Sequence, residues 1–245
     1  GSQSDDPGAP NYDERAEEGE GPVHRVKLDP FFISAFEMTQ GQWLQFTGKN
    51  PCLYSAGTER GEIVSTLMDP VEQITWNAAQ QTLERLGLAL PTEAQWEYAT
   101  RAGTNTPWYT GSTIASLQGH ANLADRFAKE NGGPVAWIYN LEIHDGYGAN
   151  APVNKFRASP FGLHNVHGNV REWCLDAWGA YDNPVAPGTG ERLPSSKGPD
   201  YRCDRGGSHS GASNLQRSAF RSRMSPLVRR GQLGVRAALN LDPVD

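Results

Sequence analysis

The stretch Phe161-Gly162-Leu163-His164-Asn165-Val166-His167-Gly168-Asn169-Val170-Arg171-Glu172-Trp173 places a side-chain amide, glycine backbone and a carboxylate within eight residues, Asn165 to Glu172. That donor set suits a hard cation, since calcium takes about six to eight oxygens from carboxylates, amides and main-chain carbonyls. A turn containing Gly168 can fold its carbonyls onto an ion held by Asn165 and Glu172. The same spacing also suits a Gly-Asn turn entering a strand whose Trp173 is core. Spacing alone leaves both readings open.

Working outward, the 245 residues suffice for one large domain or two small ones, and 37% hydrophobic with 20% charged residues is the balance of a globular chain with a sizeable core. No apolar run reaches membrane-span length, and no basic-then-apolar leader opens the sequence. No membrane partner is expected, and the compartment stays open with a slight lean to the cytoplasm. Cys52, Cys174 and Cys203 are odd in number and far apart, so free, mostly buried thiols are expected rather than a disulfide framework or a zinc site. A Cys174–Cys203 bridge is the one pairing left open.

The net charge of −6 is unevenly spread. Residues 1–22 carry seven acids against Arg15, whereas residues 201–236 carry eight arginines against Asp204. A basic block can mark a nucleic-acid surface. This one lacks lysine and lies among small and apolar residues, which favours arginines that tie loops to carboxylates within the fold, with no nucleic acid expected.

Residues 1–22 read as an acidic loop or loosely held arm, residues 23–240 as one domain and 241–245 as a tail. Alternation from Val23 to Leu28 leading into Phe31-Phe32-Ile33 predicts a strand broken at Pro30. Thr39 with Gln42 and Thr92 with Gln95 are capping-box pairs that predict helices over 40–47 and 93–101, and Thr75 opens a third over 76–86. After Gly103 helical periodicity vanishes and Gly, Asn, Pro and aromatics dominate. The expected class is therefore α+β with a loop-rich second half.

Residues 23–238 together resemble the formylglycine-generating enzyme family, also called the sulfatase-modifying-factor domain. The resemblance rests on Pro22-Val23-His24-Arg25-Val26, Phe36-Glu37-Met38-Thr39, Pro70-Val71 through Trp76, Leu90-Pro91-Thr92-Glu93-Ala94-Gln95-Trp96-Glu97-Tyr98, the Asn165–Trp173 segment, Arg205-Gly206-Gly207-Ser208 and Leu233-Gly234-Val235-Arg236. Gly1-Ser2 resembles the end of the family's opening Met-Gly-Ser, which implies that the domain's natural beginning is reached and that a longer parent protein, bacterial in type, lies upstream. The fold so implied is a variant of the C-type lectin fold with little regular secondary structure.

The resemblance also implies two calcium sites. One matches Asn165 and Glu172 with the carbonyls of Gly168 and Val170, and the other matches Asn122 and Asp145 with the carbonyls of Leu123 and Tyr147. The second would close the long excursion between Leu123 and Asp145, offsetting its closure entropy. Catalysis is not implied. The family's enzymes bind copper through two cysteines shortly after Gly-Gly-Ser, whereas this chain continues His209-Ser210-Gly211-Ala212-Ser213-Asn214-Leu215-Gln216, so no copper and no catalytic residue are expected.

Another branch of the family takes iron from three histidines on an added helical domain that is absent here. His164 and His167, the only close histidine pair, read as structural. Variable proteins of diversity-generating retroelements use the same fold to display side chains near the C-terminus. The favoured expectation is a pseudoenzyme, a calcium-stabilised module that binds an unknown protein, peptide or small molecule. Its candidate surface comprises His209, Ser210, Ser213, Asn214, Gln216, Arg221 and Arg223. The alternative is an oxidoreductase of the family with altered active-site residues, similar to its pyoverdine-maturation branch.

Overall fold

The computed structural model describes residues 1–60, 62–193 and 200–241. Helices α1 (Gln40–Thr47), α2 (Trp76–Arg85) and α3 (Glu93–Arg101) form where the caps place them. At α1 the Gln42 N–H donates to Thr39 Oγ1 at 3.1 Å while the Thr39 N–H donates to Gln42 Oε1 at 2.9 Å. Thr92 and Gln95 repeat the pair at α3, with distances of 3.1 and 3.0 Å. Each box satisfies two backbone donors that a helix start would otherwise leave unpaired. α2 stops one residue short of expectation because Leu86 leaves helical geometry before Gly87 turns left-handed.

The strands are short: β1 (Phe31–Ile33), β2 (Glu59–Arg60), β3 (Ile63–Val64), β4 (Arg171–Ala177), β5 (Arg202–Arg205), β6 (Ser222–Met224), β7 (Leu233–Gly234) and β8 (Ala238–Asn240). The main sheet has the order β6-β5-β4-β7, antiparallel except for the parallel β4–β7 pair, which sets Glu172 opposite both Arg205 and Gly234. β1 pairs antiparallel with β8, and β2 with β3. β4 is buried on both faces. Trp173 joins Met38, Trp43, Ile74 and Leu83, whereas Cys174 joins Trp96, Val166 and Cys203.

Two expectations change. The alternation at 23–28 gives no strand of a named sheet, only a single bridge between Leu28 and Gly188, because no neighbouring strand runs beside it. The half after Gly103 is loop-rich, as expected. A short helix, α4 (Arg126–Glu130), forms because Asp125 accepts the Ala128 N–H at 2.8 Å. The acidic arm is not loosely held. Asp13 and Glu20 are buried and grip Arg217, with Glu20 oxygens 2.7 and 2.6 Å from its Nη1 and Nη2 and Asp13 Oδ2 at 3.2 Å. The expected tail lies outside the described residues except for Leu241.

The arginine-rich block ties the fold together internally. Arg205 is fully buried, meets Glu97 at 2.5 Å and donates to the carbonyls of Ser218, Ala219 and Phe220. Arg221 makes a two-point bond to Glu93 at 2.9 and 2.6 Å. The planar guanidinium matches both oxygens of a carboxylate, which is why arginine rather than lysine serves here.

Candidate functional site

The stretch Phe161–Trp173 folds back on itself through four positive-φ residues, Gly162, Asn165, Gly168 and Asn169, with φ of 83, 59, 113 and 58°. Asn169 anchors the turn. Its N–H donates to Asn122 O at 2.8 Å, its Oδ1 accepts the Asn122 amide at 3.0 Å and the Ala151 N–H at 2.9 Å, and its own amide reaches Glu37. Asn165 also donates to Glu37, at 2.7 Å. Burial raises the Glu37 carboxyl to about 8, with Glu172 adding to the rise and Arg236, Asn165 and Asn169 opposing it. Glu37 was not among the expected site residues. Its signal was an acid inside the apolar run that enters a capping box.

Glu172 does not stand free as a calcium ligand. Arg236 donates to its Oε1 from Nη2 at 2.7 Å and from Nε at 3.1 Å, and to its Oε2 from Nε at 2.9 Å, while Trp96 Nε1 adds a fourth contact at 2.7 Å. Both residues are buried. Burial opposes the guanidinium's charge, yet Glu172 outweighs it and the Arg236 pKa rises. Three N–H groups make these four contacts with the carboxylate, and a cation already neutralises it. In the first expected set, Asn165 and Glu172 with the carbonyls of Gly168 and Val170, the anionic member is paired with Arg236, while Asn165 Oδ1 is buried without a hydrogen-bond partner. The sequence could not show this, because Arg236 is 64 residues away.

The second expected set is brought together. Asp145 Oδ2 accepts the Leu123 N–H at 3.0 Å and its Oδ1 accepts the Tyr147 N–H at 2.7 Å. A second carboxylate stands beside it, because the Asp145 N–H donates to Asp125 Oδ2 at 2.5 Å. Burial, reinforced by the charge of Asp125, pushes the Asp145 carboxyl up to about 8. Asn122 Oδ1 is buried without a hydrogen-bond partner. Two crowded carboxylates and an orphaned amide oxygen are the donor chemistry of a hard cation. Among the described residues no three Asp, Glu, His or Cys side chains converge, so a cation here relies on amide and main-chain oxygens.

Both nearby histidines are structural. His164 Nδ1 meets Phe156 O at 2.7 Å, and its ring stacks on Phe36. His167 Nδ1 donates to Gln216 O at 2.8 Å while its Nε2 accepts the Tyr109 N–H at 3.2 Å. Burial lowers its pKa to about 3, so it is neutral.

Behind that contact, Arg205-Gly206-Gly207-Ser208 leads into a loop closed by one amide. Gln216 Nε2 donates to Ser208 O at 3.0 Å and to Gly211 O at 2.9 Å. No thiol lies in the loop. Cys52, Cys174 and Cys203 are free, and burial pushes Cys52 up to about 12 and the other two well above the ordinary thiol range.

The model of the sulfatase-modifying factor enzyme 1-like domain matches residues 6–241. The chain belongs to this family. It is 28% identical to the formylglycine-generating enzyme of Thermomonospora curvata over 94% of this chain and 89% of that one. Among solved structures it is similar to Treponema denticola variable protein 1, with TM-score 0.71, 23% identity and coverage of 92% of this chain and 90% of the other. It is also similar to PvdO from Pseudomonas aeruginosa, with TM-score 0.71, 25% identity and coverage of 98% and 90%. The architecture is the formylglycine-generating-enzyme variant of the C-type lectin fold, low in regular secondary structure, as the resemblance implied.

On this family scaffold the seven candidate surface residues do not form one face. His209, Ser213, Gln216 and Arg221 are buried, and only Ser210, Asn214 and Arg223 reach solvent. His209 packs between Tyr54 and Trp137, with ring centroids 5.9 and 6.0 Å away, and Ser213 Oγ bonds Asn140 at 2.8 Å. Arg221 and Arg223 instead stack on Trp178, at 4.5 and 5.2 Å, beside the N-terminal arm. What the sequence missed is the loop around Trp137, whose Val135 and Ile138 are 99% and 75% exposed.

Proposed function

We propose that this chain is a calcium-stabilised binding module on the formylglycine-generating-enzyme scaffold, without that enzyme's activity. The observation that carries this reading is the loop after Gly206-Gly207-Ser208, where the space between turns is filled by the Gln216 amide and no sulfur stands within 204–216. Copper held by thiolates needs two deprotonatable sulfurs in reach of each other. The contact face centres on Ser210 and Asn214, with Trp137, Val135 and Ile138 supplying exposed apolar surface beside them. Exposed apolar side chains close in sequence to polar ones suit a protein, peptide or small-molecule ligand.

The test is aldehyde formation on a peptide bearing the Cys-x-Pro-x-Arg motif, with copper and a reductant. We expect no turnover above that of the Cys52→Ser, Cys174→Ser, Cys203→Ser triple variant. Turnover above it overturns the non-enzymatic reading and restores the oxidoreductase one.

Calcium belongs to this reading through Asn122, Leu123, Asp145 and Tyr147. A bound cation relieves the repulsion between Asp145 and Asp125, and a hundredfold excess over the dissociation constant stabilises the fold by about 2.7 kcal/mol. At about 2–4 °C per kcal/mol for a chain of this size, the melting temperature should rise by roughly 5–10 °C from chelated to calcium-loaded protein. Asp145→Asn should abolish the rise. An equal melting temperature in both states, with no metal retained, removes calcium from the proposal.

A further inference from the structure

An open groove of 730 Å³, sharing no lining residue with the Ser210 face, runs between α1 and α2. Half-buried Pro51 and Ala78 give it apolar surface above the buried Trp43 and Ile74, and Lys49, Arg85 and Arg229 stand on its walls. All three cations are exposed, and none makes an ion pair among the described residues. Glu84 is the one acid in the lining and is hydrogen-bonded to Gln80 at 2.9 Å, which leaves the groove at net +2 from three cations and one acid. The whole chain carries −6. Screening over about 8 Å at physiological ionic strength makes this local sign, not the chain's total, what a docking segment meets.

The cations sit on fixed backbone. Arg229 Nη1 donates to Gln73 O at 3.0 Å, and Gln73 is itself left-handed (φ 61°) and held through its N–H to Arg230 O at 3.0 Å. Gly48, with φ 73°, ends α1 and turns the chain toward Lys49, whose carbonyl lies 3.1 Å from Thr47 Oγ1. A cation held in place, as Arg229 is, reduces the ordering cost of binding.

We infer that this groove docks an acidic peptide segment carrying apolar side chains, the carboxylates facing Lys49, Arg85 and Arg229 and the apolar side chains lying against Pro51 and Ala78. Nucleic acid is the poorer match. It needs a broad basic footprint, whereas three cations border a floor suited to aliphatic and aromatic side chains. A second copy of the chain is the main competitor, since Asp5, Asp6, Glu17 and Glu18 border another groove on its N-terminal arm.

The probe is a fluorescein-labelled octapeptide of alternating aspartate and glutamate around one phenylalanine and one leucine, titrated by anisotropy against the full chain. The control replaces every acid by lysine. The acidic peptide should bind at least tenfold more tightly than the basic one, and binding should weaken roughly tenfold between about 50 and 300 mM salt. Lys49→Glu with Arg85→Glu changes two exposed side chains that make no hydrogen bond among the described residues, so folding survives, and this double variant should weaken the acidic peptide at least tenfold. Adding Arg229→Glu should weaken it further. Equal affinity for both peptides, no measurable binding, or an unchanged double variant overturns the inference. So does sedimentation that shows a dimer for the parent and a monomer for the double variant, because the occupant is then a second copy. The outcome is independent of the Ser210 face.

Discussion

Arg236→Met should destabilise the protein by about 3–5 kcal/mol, the usual cost of leaving one member of a buried ion pair uncompensated. Methionine keeps the length and much of the apolar volume of the side chain, so the loss reports charge more than cavity. The variant leaves Glu172 buried with only Trp96 Nε1 as donor, and it removes the contacts of Arg236 to Ser34 O at 2.9 Å and His164 O at 2.8 Å. Urea unfolding monitored by tryptophan fluorescence is the measurement. Calcium should then act differently on the two proteins. In the variant Glu172 is unpaired and Asn165 Oδ1, which has no partner, stands near it in the chain, so calcium should recover part of the loss. A variant within about 1 kcal/mol of the parent would mean that another cation neutralises Glu172.

Gly168→Ala should be at least as damaging, roughly 3 kcal/mol or more. A Cβ at this position would stand 2.0 Å from Asn122 O and 2.9 Å from Asn122 C, both backbone atoms, with Gln216 Oε1 at 3.0 Å on another side. The Asn122 carbonyl cannot yield, because it accepts the Asn169 N–H that closes the turn. At φ 113° a side chain is strained even without the clash. The melting temperature should fall by roughly 6–12 °C, and the second expected calcium set should weaken with it, since Asn122 precedes Leu123 in that set. Gly57→Ala is the control. Its φ is 91° but nothing lies within 4 Å of the added carbon, so about 1–2 kcal/mol of backbone strain is the whole expected effect. Equal losses at the two positions would show that Gly168 is needed for its dihedral angle alone.

Family, fold class and helix starts were legible because each depends on short-range chemistry. Thr39 with Gln42 and Thr92 with Gln95 complete their bonds within one helical turn, so any sequence window that contains the pair contains the reason. The absence of a thiol pair after Gly207 is equally local, and the structure adds only that the Gln216 amide closes the loop.

The alternation at 23–28 misled for the opposite reason. A strand exists only when a partner offers its backbone groups, and no local pattern guarantees one. The acidic arm misled likewise, since Asp13 and Glu20 meet Arg217 at separations of 204 and 197 residues.

The functional readings divide along the same line. The sequence by itself determined that Asn122, Asp145, Asn165 and Glu172 are oxygen donors in turn-rich segments. Only the tertiary structure set Arg236 against Glu172 and Asp125 beside Asp145. It also decided that His209, Gln216 and Arg221 point inward, so that the surface of the C-terminal segment is much smaller than its polar composition suggests. Donor chemistry is a property of a residue, whereas burial and charge compensation are properties of its neighbours, and those neighbours arrive from distant parts of the chain.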